Sequence, residues 1–156
     1  VSLPTNIEAD ILTAWLATLT TVAAGLSPVP VVRSWRDQTA HADYPALLCH
    51  VTPGVPDEEN TALDAPLWTV LVNVAAVTHT EQTPPASGST QVAADPTGVT
   101  CVSFFAAARA AILAGIPAVS GMSVLNARID DSQDIGEGPV NMRTFRVQLV
   151  IQIQEA

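Results

Sequence analysis

Residues 142–154 read Met-Arg-Thr-Phe-Arg-Val-Gln-Leu-Val-Ile-Gln-Ile-Gln. Phe145, Val147, Leu149, Ile151 and Ile153 fall on one side of an extended chain, and Arg146, Gln148, Gln152 and Gln154 fall on the other. That period of two predicts a strand with one buried face. Burying five such apolar side chains contributes roughly 7 to 15 kcal/mol before ordering entropy is subtracted, at about 1.5 to 3 kcal/mol each. The segment is therefore expected to be an integral member of a sheet, and its removal to be costly.

Outward from that strand, Asp130 to Pro139 is an acidic, glycine-containing connection, and Met122 to Ile129 reads as a further strand. Thr100 to Ala114 reads as a helix in which Phe104, Ala108, Ala111 and Ile112 share a side, stopped by Gly115-Ile116-Pro117. Residues 81–98 are rich in Pro, Ser, Thr and Gly and read as a flexible loop. Leu67 to Thr80 is the longest strand pattern, with Trp68, Val70, Val72, Val74 and Ala76 on one face, which suggests a central position. Shorter strands are expected at Val29 to Trp35 and Ala46 to Val51, and residues 54–66 read as an acidic solvated loop.

At the other end, Thr5-Asn6-Ile7-Glu8 fits a capping box, in which the Glu8 side chain reaches back to the start of its own helix. Ile7, Ile11, Trp15, Leu19 and Val22 follow at helical spacing, and Gly25 is placed to end the helix. Residues 11–32 carry no charge. The threonines on the second side, with Pro28 and Pro30, leave about 16 residues of usable helix where a membrane span needs about 20, so the reading is a core helix. The order becomes helix, three strands, helix, two strands. The expected fold is α+β: one domain over residues 1–156, with a mainly antiparallel sheet of about five strands and two helices packed on one face.

Charge excludes one class of partner. Fifteen acidic residues stand against six basic ones, a net charge of −9, whereas a protein that grips phosphates needs clustered cations. Two cysteines, Cys49 and Cys101, are too few for a disulfide framework. Neither a secretory signal pattern nor an Asn-x-Ser/Thr acceptor is visible, so a protein made in a cytoplasm is expected.

No motif demands catalysis: the chain lacks a Gly-x-Ser-x-Gly elbow, a phosphate loop, a dinucleotide fingerprint and a His-Glu-x-x-His pair. His41, His50 and His79 have no paired spacing, and a metal site from Cys49, His50, His79 and Cys101 would need three separate segments to converge. Asp130-Asp131-Ser132-Gln133-Asp134 opens like a calcium loop, but Ile135 stands where Gly belongs and Asn141 where a bidentate Glu belongs. No catalytic residue, cofactor or metal is expected.

The whole pattern resembles the tail terminator (tail completion) proteins of long-tailed bacteriophages. The resemblance rests on the Ile7 to Val22 helix, the Tyr44-Pro45-Ala46-Leu47-Leu48 entry to a strand, the long strand at Leu67 to Thr80, the alanine-rich helix and the closing Phe145-Arg146-Val147-Gln148-Leu149 strand. It implies a structural virion protein at the head-proximal end of the tail, assembled in the host bacterial cytoplasm. Its partners would be copies of itself in a ring, most often a hexamer, the tail tube protein and the head-tail connector. DNA would only pass through the lumen, and no membrane is involved. Sheet edges and helix flanks would make the ring contacts, with Arg33, Arg36, Arg143 and Arg146 meeting carboxylates such as Asp130, Asp131 and Asp134 of a neighbour. A head-tail joining protein is the nearest alternative, and a small enzyme or ligand-binding domain is the alternative of another class.

Overall fold

The computed structural model describes residues 5–34, 45–52, 54–56, 67–80, 94–131 and 140–153. In chain order the elements are α1 (Thr5–Ala24), β1 (Val31–Ser34), β2 (Ala46–Val51), β3 (Val55–Pro56), β4 (Leu67–His79), α2 (Val99–Ala114), β5 (Met122–Asp131) and β6 (Val140–Ile153). Five strands run in the order β1-β2-β4-β6-β5, and the short β3 pairs with β4. The fold is α+β with a mixed, mostly antiparallel sheet.

β4 and β6 form the centre, paired without interruption from Leu67↔Gln152 to His79↔Val140. Alternation along these strands assigns the core. Trp68, Val70, Val72, Val74 and Ala76 of β4, Phe145, Val147, Leu149 and Ile151 of β6, and Leu47 and Cys49 of β2 are all buried in one cluster. The same cluster contains Ile11, Trp15, Leu19 and Ala23 of α1 and Cys101, Phe104, Ala108 and Ile112 of α2. Each helix thus supplies residues three or four apart, the spacing that keeps side chains on one side of a helix. Ala23 takes the buried position that the periodicity assigned to Val22, and Cys101 joins the α2 face. α1 also has the length and apolarity of a membrane span, with a mean hydropathy of 1.3 over Asn6–Ala24, while it buries these four residues in the protein core.

The opposite sheet face carries a second, smaller buried cluster of Ala46, Leu48, Ala75 and Val77, flanked by Val140 and Met142. Both faces of β4 are therefore buried over its second half, as its burial pattern shows. A strictly one-sided alternation describes only the first half.

The structure refines two local expectations and corrects one. β1 pairs with β2 in parallel, from Val31↔Ala46 to Ser34↔Cys49, so that edge of the sheet departs from the antiparallel pattern. The acidic stretch after residue 54 opens with a strand: β3 pairs Val55↔Thr69 and Pro56↔Trp68, while β2 ends at Val51↔Val72. Four steps on one side therefore match three on the other, a one-residue slip of the kind a β-bulge makes. Finally, α1 ends at Ala24 with Gly25 next, as expected, although Gly25 is not left-handed: among the described residues only Gly98 and Gly121 have positive φ. Its last turn tightens through bonds from Gly25 N to Val22 O and Leu26 N to Ala23 O, at 3.1 and 3.0 Å.

Glu8 has a partner outside its own helix, while the Thr5 side chain of the expected capping box lies outside the described residues. The Glu8 Oε1 accepts a 3.1 Å hydrogen bond from Gly54 N, so the carboxylate ties the first turn of α1 to the connection between β2 and β3.

Candidate functional site

The densest polar arrangement among the described residues lies where α2 begins. The Asp-Pro-Thr-Gly stretch at 95–98 leads into the helix, with Gly98 at φ 76°, a left-handed conformation in which a side chain would be strained. Asp95 is 4% exposed and holds the first turn. Its Oδ1 accepts from Thr100 N at 3.1 Å and its Oδ2 from Cys101 N at 2.9 Å, which satisfies two donors that a helix start leaves open. The Thr78 hydroxyl donates to Oδ2 at 2.7 Å.

Asn141 completes the arrangement from the neighbouring strand. Thr78 and Asn141 are register partners on β4 and β6. Asn141 Nδ2 donates to Asp95 O at 2.8 Å and to Thr78 Oγ1 at 3.3 Å, and Asp95 N donates to His79 O at 2.8 Å. Burial pushes the Asp95 carboxyl up, but the bonds from Thr78, Cys101, Thr100 and Gly98 outweigh it and hold the group below its ordinary value of 3.8. The carboxylate is charged, inward and fully engaged.

Beside this cluster a pocket of about 320 Å³ is lined by Thr97, Gly98, Cys101, Val102, Asn141, Met142 and Arg143. Arg143 carries its guanidinium 5.6 Å over the Phe105 ring of α2, and Phe105 meets Phe145 edge-on at 5.7 Å. The stack couples α2 to β6 through a cation-π contact and an aromatic pair. Cys101 Sγ donates to Ala76 O at 3.3 Å. These donors and acceptors fasten helix to sheet.

No protein-family model and no curated protein matches this chain. The residues singled out by sequence therefore stand on position alone. Arg146 and Asp130 are register partners on β6 and β5, and their side chains approach to 3.9 Å. Arg128 reaches the same carboxylate at 3.4 Å. Asp131 closes β5 opposite Phe145, Arg33 lies on β1 at the far edge, and Arg143 is taken up over Phe105. Arg36, Asp134 and His41 lie outside the described residues.

Cys49 and His50 are adjacent on β2, so they point to opposite faces: Cys49 is buried in the core and His50 is exposed. His79 is buried at the end of β4. Among the described residues no group of three or more His, Cys, Asp or Glu side chains gathers as metal ligands would. Cys49 and Cys101 are both free thiols, and burial pushes Cys49 up from 9.0 to about 12.

Sequence reasoning missed Asp95, Thr78 and Asn141, having assigned residues 81–98 to a flexible loop. The available signal was Asp95-Pro96, with the aspartate four residues before a helix-opening Val99, a turn-initiating pair placed to cap the helix after it.

Proposed function

We propose that this chain is a structural protein of the tail terminator type, acting as a ring on the end of a phage tail tube rather than as a catalyst. The observation that carries this reading is the order of elements within one sheet. A helix, a group of strands, a second helix and a closing pair of strands form one α+β unit whose longest strands, β4 and β6, lie at its centre. That is the pattern on which the resemblance rests.

Two further features support it. The polar groups around Asp95 are spent on holding α2 to the sheet. The net charge of −9 suits a wall past which DNA slides without being gripped. Tail tube and neck connector are the partners this reading assigns.

Cryo-electron microscopy of assembled tails tests it. A single ring of this chain at the head-proximal end of the tube is the expected result. A copy number that follows every tube layer, or absence from the particle, would overturn it.

A further inference from the structure

The two outer strands of the sheet, β1 and β5, run in opposite directions. β1 is parallel to β2, and each later step, β2 to β4, β4 to β6 and β6 to β5, is antiparallel. A second copy placed beside the first in the same orientation therefore brings its β1 antiparallel to the first copy's β5. Among the described residues no strand pairs with the outer side of either.

We propose that β5 of one copy pairs with β1 of the next, so that the sheet continues from subunit to subunit. This rests on the ring reading and names the junction that would build the ring. Length supports it: β1 has four residues, and the exposed stretch of β5, Leu125–Arg128, also has four, of which Asn126–Arg128 are in regular register with β6 and Leu125 is the extra residue at a register shift. Aligned antiparallel, Val31 faces Arg128, Val32 faces Ala127, Arg33 faces Asn126 and Ser34 faces Leu125.

The pleat agrees with this alignment. Val32 pairs with Leu47 and Ala127 pairs with Leu149, which puts both on the face that carries the main core. Arg33 and Asn126, partners of Leu48 and Val150, share the other face. A slip by one residue would set each side chain against the wrong face.

The opposed directions, matching lengths and matching pleat of the two edges select a second copy as the occupant, and charge does not oppose it. Copies carrying −9 repel one another wherever carboxylates meet. β1 lies within residues 11–36 and the 125–128 stretch of β5 within residues 96–129, and neither segment contains an Asp or Glu. The junction brings together two stretches with no carboxylate of their own, and the Arg128 charge is offset by Asp130, two residues further along β5, at 3.4 Å. A four-residue match is small against the roughly 1,200 Å² that a stable interface buries, so one junction alone is weak. A closed ring makes every junction at once and leaves no open edge, the condition that makes sheet edges safe from unwanted pairing.

The test is cross-linking of the full chain between engineered cysteines. Val31 is 40% exposed and the Arg128 side chain 73%, so V31C and R128C are accessible, while Cys49 and Cys101 are buried. The two variants are treated with a flexible bismaleimide separately and mixed, in concentrated solution and on assembled tails, with the parent chain as control. The expected result is an adduct in the mixture alone, and a ladder of oligomers from the V31C/R128C double variant. Adduct in R128C alone would replace the junction with a two-fold β5 pairing, and adduct to a tail protein but not between copies would assign the edge to another partner; either overturns the proposal. Rings without adducts would overturn the junction and leave the ring reading standing. A ladder from a chain that microscopy places elsewhere than the tube end would keep the junction and overturn the terminator reading.

Discussion

Thr78 on β4 donates its hydroxyl to the Asp95 carboxylate at 2.7 Å, and through that carboxylate a side chain at the end of the central strand sets where α2 begins. The contact joins residues seventeen apart in sequence and is buried. Its removal should therefore be felt by helix and sheet together.

Asp95→Ala removes the acceptor for Thr78, Thr100 and Cys101 at once. Leaving such donors buried and unsatisfied costs about 1 to 3 kcal/mol each when nothing replaces the partner, so a loss of at least about 2 kcal/mol is expected. Thr78→Val, which leaves the two backbone bonds in place, should cost less. Urea unfolding of both variants measures the difference, and equal stabilities would show that the hydroxyl contact matters as much as the helix cap.

The same carboxylate makes stability depend on acid. Its folded value lies below its ordinary value of 3.8, so its contribution is complete above that value and is lost as pH falls through the lower, folded one. The gap between wild type and Asp95→Asn should be constant from neutral pH down to about 4 and then narrow. A gap that widens on acidification would contradict the assignment.

Cys49 titrates in the opposite sense. Burial raises its thiol from 9.0 to about 12, so the stability this confers is complete below 9 and is lost as pH rises through that interval. The folded protein should resist a thiol reagent at pH 8, with both cysteines reacting after denaturation. Rapid labelling of native protein, or a mass showing a disulfide, would refute it.

Glu8→Gln tests the tether from α1 to Gly54. The Glu8 carboxylate accepts from Gly54 N, 46 residues away, at a partly buried site. Because Gln still offers a carbonyl oxygen, Glu8→Gln should cost under about 1 kcal/mol, and Glu8→Ala more, about 1 to 2 kcal/mol. Hydrogen exchange at Gly54 should accelerate in the alanine variant, and unchanged exchange would rule the tether out.

Trp15 is the largest fully buried side chain of α1. Trp15→Ala should destabilise by about 3 to 5 kcal/mol through lost contacts and the cavity left behind. A shift in denaturation midpoint without change in slope is the expected signature.

Periodicity carried most of the fold in legible form. The alternation from Phe145 to Ile151 and from Trp68 to Ala76 locates the two central strands, and Ile11, Trp15 and Leu19 locate the α1 face, because burial imposes those periods. Partnership is another matter. Nothing in Val31-Val32-Arg33-Ser34 indicates whether its neighbour runs parallel or antiparallel, since that depends on the path of the intervening chain. The roles of Asp95 and Glu8 are hidden for a related reason: each carboxylate is used by backbone N–H groups or hydroxyls whose positions only the assembled fold supplies. Likewise, Arg143 reads as a surface cation in the sequence because Phe105, the ring beneath it, belongs to a different element.

The long register between β4 and β6 also bears on how quickly the protein reaches its native state. Its partners lie from 61 residues apart, at His79↔Val140, to 85 apart, at Leu67↔Gln152. The chain must close that loop, at an entropic cost, before the pairing that builds most of the core returns anything. Domains dominated by such distant pairings fold in roughly milliseconds to seconds, far more slowly than helical bundles of similar stability. Until β6 arrives, β4 has only its nearer partners β2 and β3, and an apolar strand of thirteen residues remains open along one side. Aggregation during refolding should therefore compete at the β4–β6 step, and it should fall when that strand's open side is masked early.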